Sequence, residues 1–301
     1  MSSAASAPAA VPAPRTVSRE RLFALVGVAV FCALAFVAVY LLAQTDTGRR
    51  IDDVAVNGGA VIGSRQFGAA NHLLNAITTT SLAVIIVALV GVAVARRRPW
   101  LALCAAISIG GAVSLAQLMK RTLPQTDLAH YLDGLRFPSG HATIALSVGL
   151  AAVLIAPATR RRPVAIVAVL FAAAVGICAV AAGWHRASDV AGGFLLATGW
   201  TAAVAAVTLA ASPHELGREH REVHSAGLHR FALALPVVAI LIVVAGVGAA
   251  IIGHDAGRLR FIDVTPNFVA VAAGIAALAT LSVAALVGSL GVLRDRVAPP
   301  L

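Results

Sequence analysis

Two histidines stand at the edges of long apolar runs, where polar groups are costly and seldom accidental. One closes the segment Phe137-Pro138-Ser139-Gly140-His141, and the other opens Trp184-His185-Arg186-Ala187-Ser188-Asp189. Lys120, the only lysine in the chain, precedes both. In the first segment Ser139 is a good helix N-cap, and Gly140 lets another group come close to the backbone. The free N–H groups and dipole of a helix starting there favour an anion such as phosphate, with His141 beside it on the first turn. In the second segment His185 and Asp189 are four residues apart and meet on one face of a helical turn. A carboxylate holding one ring nitrogen fixes the imidazole tautomer and leaves the other nitrogen free as a nucleophile. Each piece has a plainer reading: a capped helix with an interfacial histidine, an aspartate capping the next helix, a lysine snorkelling at a helix end. The combination, in that order, points to phosphate chemistry at one membrane face.

The elements that must position these groups belong to a membrane bundle. The chain has 301 residues, 59% hydrophobic and 12% charged; a soluble domain carries about a quarter charged residues. Eight apolar segments are long enough to cross a bilayer: Leu22–Gln44, Leu74–Ala95, Trp100–Met119, His141–Ala158, Pro163–Gly183, Val190–Ala211, Phe231–Gly253 and Phe268–Leu293. Lipid offers no partners to exposed backbone, and the runs are too long for barrel strands. The expected fold class is therefore all-α, a polytopic transmembrane bundle of about eight helices. Residues 1–20, rich in Ala, Pro and Ser, read as a disordered cytoplasmic tail. Residues 21–211 read as a six-helix membrane domain, 212–230 as a cytoplasmic loop, and 231–301 as two additional transmembrane helices with a short tail. The first apolar run is longer than a signal-peptide core and reads as an uncleaved helix.

The formal charge of +10 comes mostly from arginines at helix ends. With no basic face carrying interleaved aromatics, nucleic acid is not an expected partner. Placing the N-terminus in the cytoplasm puts 14 basic residues inside and 9 outside, and the tight Arg-Arg-Arg-Pro turns at 96–99 and 160–163 weigh most. Those turns read as cytoplasmic flanks with helix-starting prolines. Lys120, the Pro-Ser-Gly-His segment and the His185 turn then share the outer face, and both termini are cytoplasmic. Cys32, Cys104 and Cys178 lie inside apolar runs and form no disulfide framework. His220 and His224 have zinc-like spacing but sit in a mixed-charge loop that reads as a solvated segment. Asp52, Asp53 and Arg65 belong to an outer stretch, 46–73, expected to lie along the interface and shape lipid entry. No pair of carboxylates sits in the apolar runs to hold Mg²⁺, which agrees with the expectation of no metal and no cofactor that the resemblance described below implies. The arginine- and alanine-rich usage points to a bacterial plasma membrane.

Together these motifs resemble the type 2 phosphatidic acid phosphatase superfamily, the integral-membrane lipid phosphate phosphatases. The resemblance covers about residues 20–210, a six-helix phosphatase core, with the last two helices additional. The family's middle motif is present as Pro138-Ser139-Gly140-His141. The end of its third motif is present as His185 and Asp189, followed by Val190 and the small residues Ala191-Gly192-Gly193. Two arginines of the pattern are missing. The first motif is Lys, six residues, then Arg-Pro; counting from Lys120 gives Asp127-Leu128, and a shorter spacing gives Gln125-Thr126. The third motif opens with Ser-Arg, where this chain has Cys178-Ala179. Arg121, Arg136 and Arg186 lie nearby and are candidates to replace them, their alternative role being lipid-headgroup anchors.

The resemblance implies metal-independent dephosphorylation of a membrane lipid phosphate or pyrophosphate through a phosphohistidine, at the extracytoplasmic face. Lys120 and the N–H groups at Ser139 and Gly140 would hold the phosphate. His185, oriented by Asp189, would attack phosphorus. His141 would protonate the leaving group and then activate water. A lipid phosphotransferase, and a non-catalytic member binding anionic lipids, are the alternatives.

Overall fold

The computed structural model describes residues 19–49, 52, 64–124, 137–157, 159–213, 234, 237 and 264–291. Eight helices order these residues: α1 (Arg19–Ala43), α2 (Ser64–Ala76), α3 (Thr79–Ala95), α4 (Pro99–Thr122), α5 (Gly140–Ile155), α6 (Arg161–Ala181), α7 (Ala187–Ala211) and α8 (Val264–Gly291). Five of them, α1, α4, α6, α7 and α8, are long and apolar enough to cross a membrane. The chain is an integral membrane protein of the all-helical class. The exposed hydrophobics of α1, among them Phe23, Phe31, Leu34 and Leu41, form the lipid-facing surface such a bundle needs.

The core gathers around α5, which is apolar on all sides and buried from Ala142 to Ile155 against α4, α6 and α7. α7 packs on its other side against α1, and α8 lies against α6 and α7. At 16 residues α5 is about 24 Å long, short of the roughly 30 Å hydrocarbon layer. It starts one residue before the expected segment His141–Ala158 and ends at Ile155.

Two expectations need correction. The segment Leu74–Ala95 is not one helix. α2 ends at Ala76, and the two helical stretches bend by 57° at the break. Thr78 Oγ1 accepts the Ser81 N–H at 3.0 Å, while Ser81 Oγ accepts the Thr78 N–H at 2.8 Å. This reciprocal cap starts a new helix at the Thr78-Thr79-Thr80-Ser81 stretch of an otherwise apolar run. The two arginine triplets are also more than flanks. Arg161 is 2% exposed, its Nε donating to the Val153 carbonyl at 3.2 Å and its Nη2 to that of Ala156 at 3.3 Å. Arg96 donates to the carbonyl of Ile155. Both therefore cap the C-terminal carbonyls of α5, where cations also meet the negative end of the helix dipole. The segment Phe231–Gly253, apart from Ala234 and Val237, the loop histidines His220 and His224, and the 1–18 stretch lie outside the described residues.

Candidate active site

The end of α4, the start of α5 and the α6–α7 turn meet at one end of the bundle, opposite the arginine triplets. Local rules shape that turn. Gly183 has φ +69°, the left-handed conformation that glycine adopts without steric cost. Its N–H reaches the Val180 carbonyl at 3.0 Å and the Trp184 N–H reaches that of Ala179 at 2.9 Å, the paired bonds of a Schellman stop. The His185 N–H also bonds Ala179 O, at 3.1 Å. Ala179, which stands where the resemblance calls for arginine, is fully buried and serves as the acceptor of this turn. On the other side, Asp189 Oδ2 accepts the Arg186 N–H at 3.0 Å and caps α7. His185 is thus held between a helix stop and a helix start.

The same Asp189 oxygen lies 3.4 Å from His185 Nδ1, a long contact of the kind that tightens when a substrate binds. Both residues are buried. The backbone of Asp189 does a second job: its carbonyl accepts the Ser139 N–H at 2.8 Å and ties the start of α5 to α7. Ser139 Oγ caps α5 by accepting the Ala142 N–H at 3.3 Å. This union needs close approach. A Cβ at Gly192 would lie 2.3 Å from the Phe137 ring, and one at Gly193 would lie 2.7 Å from Ser139 O. The two glycines let Phe137-Pro138-Ser139 rest on the α7 backbone. Phe36 and Tyr40 of α1 hold Phe137 from above, with ring centroids at 5.0 and 5.5 Å.

The first turn of α5 then turns His141 toward His185, ring centroids 6.4 Å apart. Trp184 meets His141 edge-on at 5.4 Å, and the Leu74 backbone, at the end of α2, accepts a hydrogen bond from the ring. Lys120 reaches the same place from α4: its Nζ lies 3.4 Å from where a Gly140 Cβ would be. Arg186 is 8% exposed, and its Nε is buried without a hydrogen-bond partner among the described residues. His185, His141, Asp189, Lys120, Ser139 and Gly140 therefore converge, with Arg186 next to His185 in the same turn. Arg121 is exposed at the end of α4. Arg136, and the positions 125–128 where the first motif would end, lie outside the described residues.

The Lys120 ammonium and the N-terminus of α5 beside two imidazoles are the groups that an anion site with acid–base chemistry needs. The family model of the PAP2 superfamily matches residues 72–213, the stretch that carries all of them. Over this stretch the chain is similar to the PAP2 superfamily. The fold is similar to the crystal structure of a transmembrane PAP2 type phosphatidylglycerolphosphate phosphatase from Bacillus subtilis. The likeness is at 20% identity and a TM-score of 0.48, covering 60% of this chain and 94% of that one. No curated protein sequence matches the chain.

Sequence reasoning passed over Trp184, whose ring packs on His141, and Leu74, whose partner comes from an element placed only by the fold. It also assigned Asp52 to an interfacial stretch, whereas that residue is buried, 3% exposed, against α7. An aspartate beside a second one, Asp53, carries no local signal of such a partner.

Proposed function

We propose that the chain is a metal-independent lipid phosphate phosphatase that works through a phosphohistidine at the extracytoplasmic end of the bundle. The observation that carries this reading is the pair of facing imidazoles, 6.4 Å apart between centroids, one backed by Asp189 and the other flanked by Lys120. The phosphate oxygens sit at the N-terminus of α5, against the Gly140 N–H and the Lys120 ammonium. Arg186 supplies the guanidinium that Ala179 does not. Its buried Nε, without a partner among the described residues, would gain an acceptor when phosphate binds, offsetting a desolvation cost of about 1–3 kcal/mol.

His185, its Nδ1 held by Asp189, attacks phosphorus through Nε2. The ester P–O bond breaks, and the leaving oxygen takes the proton of His141. Neutral His141 then removes a proton from water as that water attacks phosphorus and the P–N bond to His185 breaks, releasing phosphate and restoring both rings. Positioning and charge stabilisation carry most of such a transfer. The arginine distribution supports an outward orientation of this end, level with the headgroups, where a substrate diffusing in the membrane plane would meet it.

The test is phosphate release from a lipid phosphate in mixed micelles, with chelator present. The wild type should release phosphate and form an acid-labile phosphoprotein, while His185→Asn should do neither. Equal release by His185→Asn would end the proposal. Labelled phosphate on an added lipid alcohol instead of in solution would favour the phosphotransferase.

A further inference from the structure

α7 starts without a cap of its own at its second residue. Arg186, in the N-cap position, has no acceptor to offer, and Asp189 spends its carboxylate on the Arg186 N–H and His185. The missing acceptor comes from Asp52, 136 residues earlier in the chain. Asp52 Oδ1 accepts the Ser188 N–H at 3.0 Å, and Oδ2 accepts the Ser188 hydroxyl at 2.6 Å. Both carboxylate oxygens are thus committed to one residue of the first turn of α7.

Asp52 forms the polar end of a cavity of about 260 Å³ between α1, α7 and α8, lined elsewhere by apolar residues such as Leu42, Phe194, Ile275 and Leu278. A carboxylate is expensive in such surroundings unless it is hydrogen-bonded, and the positive end of the α7 dipole is where it costs least. The placement matters because of geometry. Ala187, Ser188, Val190 and Ala191 face this cavity, while Asp189, Gly192 and Gly193 face α5. Asp52 on one side and the Ser139–Asp189 bond on the other grip the same turn from opposite directions.

We propose that Asp52 is a positioning residue for the phosphoryl transfer. By clamping Ser188 it fixes the rotation of the first turn of α7, and with it the aim of His185 and the reach of Asp189. It does not touch phosphate. This inference rests on the reading of the site as a phosphatase, so His185→Asn is carried through every measurement.

The experiment compares kcat and KM, per folded protein, for Asp52→Asn, Ser188→Val and Ser188→Thr. Threonine keeps the hydroxyl that Asp52 Oδ2 accepts, and valine has its shape without it. Loosening the turn by a fraction of an ångström should lower kcat about 10–100-fold in Asp52→Asn and Ser188→Val. In the Ser188 variants KM should stay within about twofold of wild type, since Lys120, Arg186 and the α5 N-terminus are untouched, whereas Asp52→Asn also removes a charge that acts on Arg186. Ser188→Thr should restore most of kcat. The double variant Asp52→Asn/Ser188→Val should lose no more than the worse single one, because the two residues act through one contact. Should Asp52→Asn fail to fold, the threonine–valine pair still decides the matter. Wild-type kcat in Ser188→Val, or equal losses in the valine and threonine variants, would overturn the inference while leaving the phosphatase reading intact. Full turnover in His185→Asn would overturn both.

Discussion

Gly193→Ala is the sharpest perturbation of the way this site is assembled. The added Cβ would lie 2.7 Å from Ser139 O, 3.1 Å from Ala142 Cβ and 3.1 Å from Thr143 Oγ1. The carbonyl cannot swing aside freely, because it already accepts the Thr143 N–H at 3.1 Å and the Thr143 hydroxyl at 2.8 Å. Relief to an ordinary contact of 3.4 Å requires α5 and α7 to part by about 0.7 Å at this point (3.4 less 2.7). The same movement stretches the Ser139–Asp189 bond from its 2.8 Å and shifts His141 relative to His185. Overpacking of this kind costs about 1–3 kcal/mol of stability. Misplacement of reacting groups by under an ångström should lower kcat about 10–100-fold. Gly110→Ala is the control. Nothing lies within 4 Å of its added Cβ in α4, so it should be neutral or stabilise by up to about 1 kcal/mol. Phosphate release from lipid phosphate, normalised to folded protein, and thermal unfolding in detergent read both effects. Wild-type kcat in Gly193→Ala, or equal losses in the two variants, would refute the idea that close helix approach assembles the site.

Two other outcomes follow from buried charge. Arg161→Met removes the bonds to Val153 O and Ala156 O at the far end of the bundle; it should destabilise the protein by about 2–4 kcal/mol while kcat per folded molecule stays near wild type, as thermal unfolding and initial rates would show. Burial holds the Asp52 carboxyl above the ordinary carboxylate value of 3.8, against the lowering effect of its Ser188 bonds; Asp189 raises it further and Arg186 lowers it. Between 3.8 and that raised value the folded state binds more protons than the unfolded one, so stability from this group is fully present below 3.8 and declines as pH rises through the window. Thermal midpoints measured across acid pH for the wild type and Asp52→Asn should differ in slope in that window, and identical slopes would contradict the burial argument.

Much of the molecule was legible one residue at a time. The membrane bundle follows from apolar run length, because a backbone in lipid has few ways to satisfy its hydrogen bonds. The Ser139 cap and the His185–Asp189 pair are contacts within four residues, and such contacts are readable from spacing. The break at Thr78–Ser81 was equally local, yet average hydropathy passes over it, because threonine and serine caps hide inside an apolar run. The role of Arg161 was masked the other way: as one of three arginines beside a proline it looked like a charge for the interface.

What the chain alone determined are the membrane class, the identity of the imidazoles and carboxylate, and the helix ends that carry them, since these depend on neighbours in sequence. Tertiary structure alone decided the rest. It brought the two rings to 6.4 Å between centroids, tilted by 56°, with Lys120 beside Gly140, through a bond between Ser139 and Asp189, residues 50 positions apart. It also brought Asp52 onto Ser188 across 136 residues. No local propensity encodes such meetings, because they exist only where two backbones pack closely enough for hydrogen bonds to form between them.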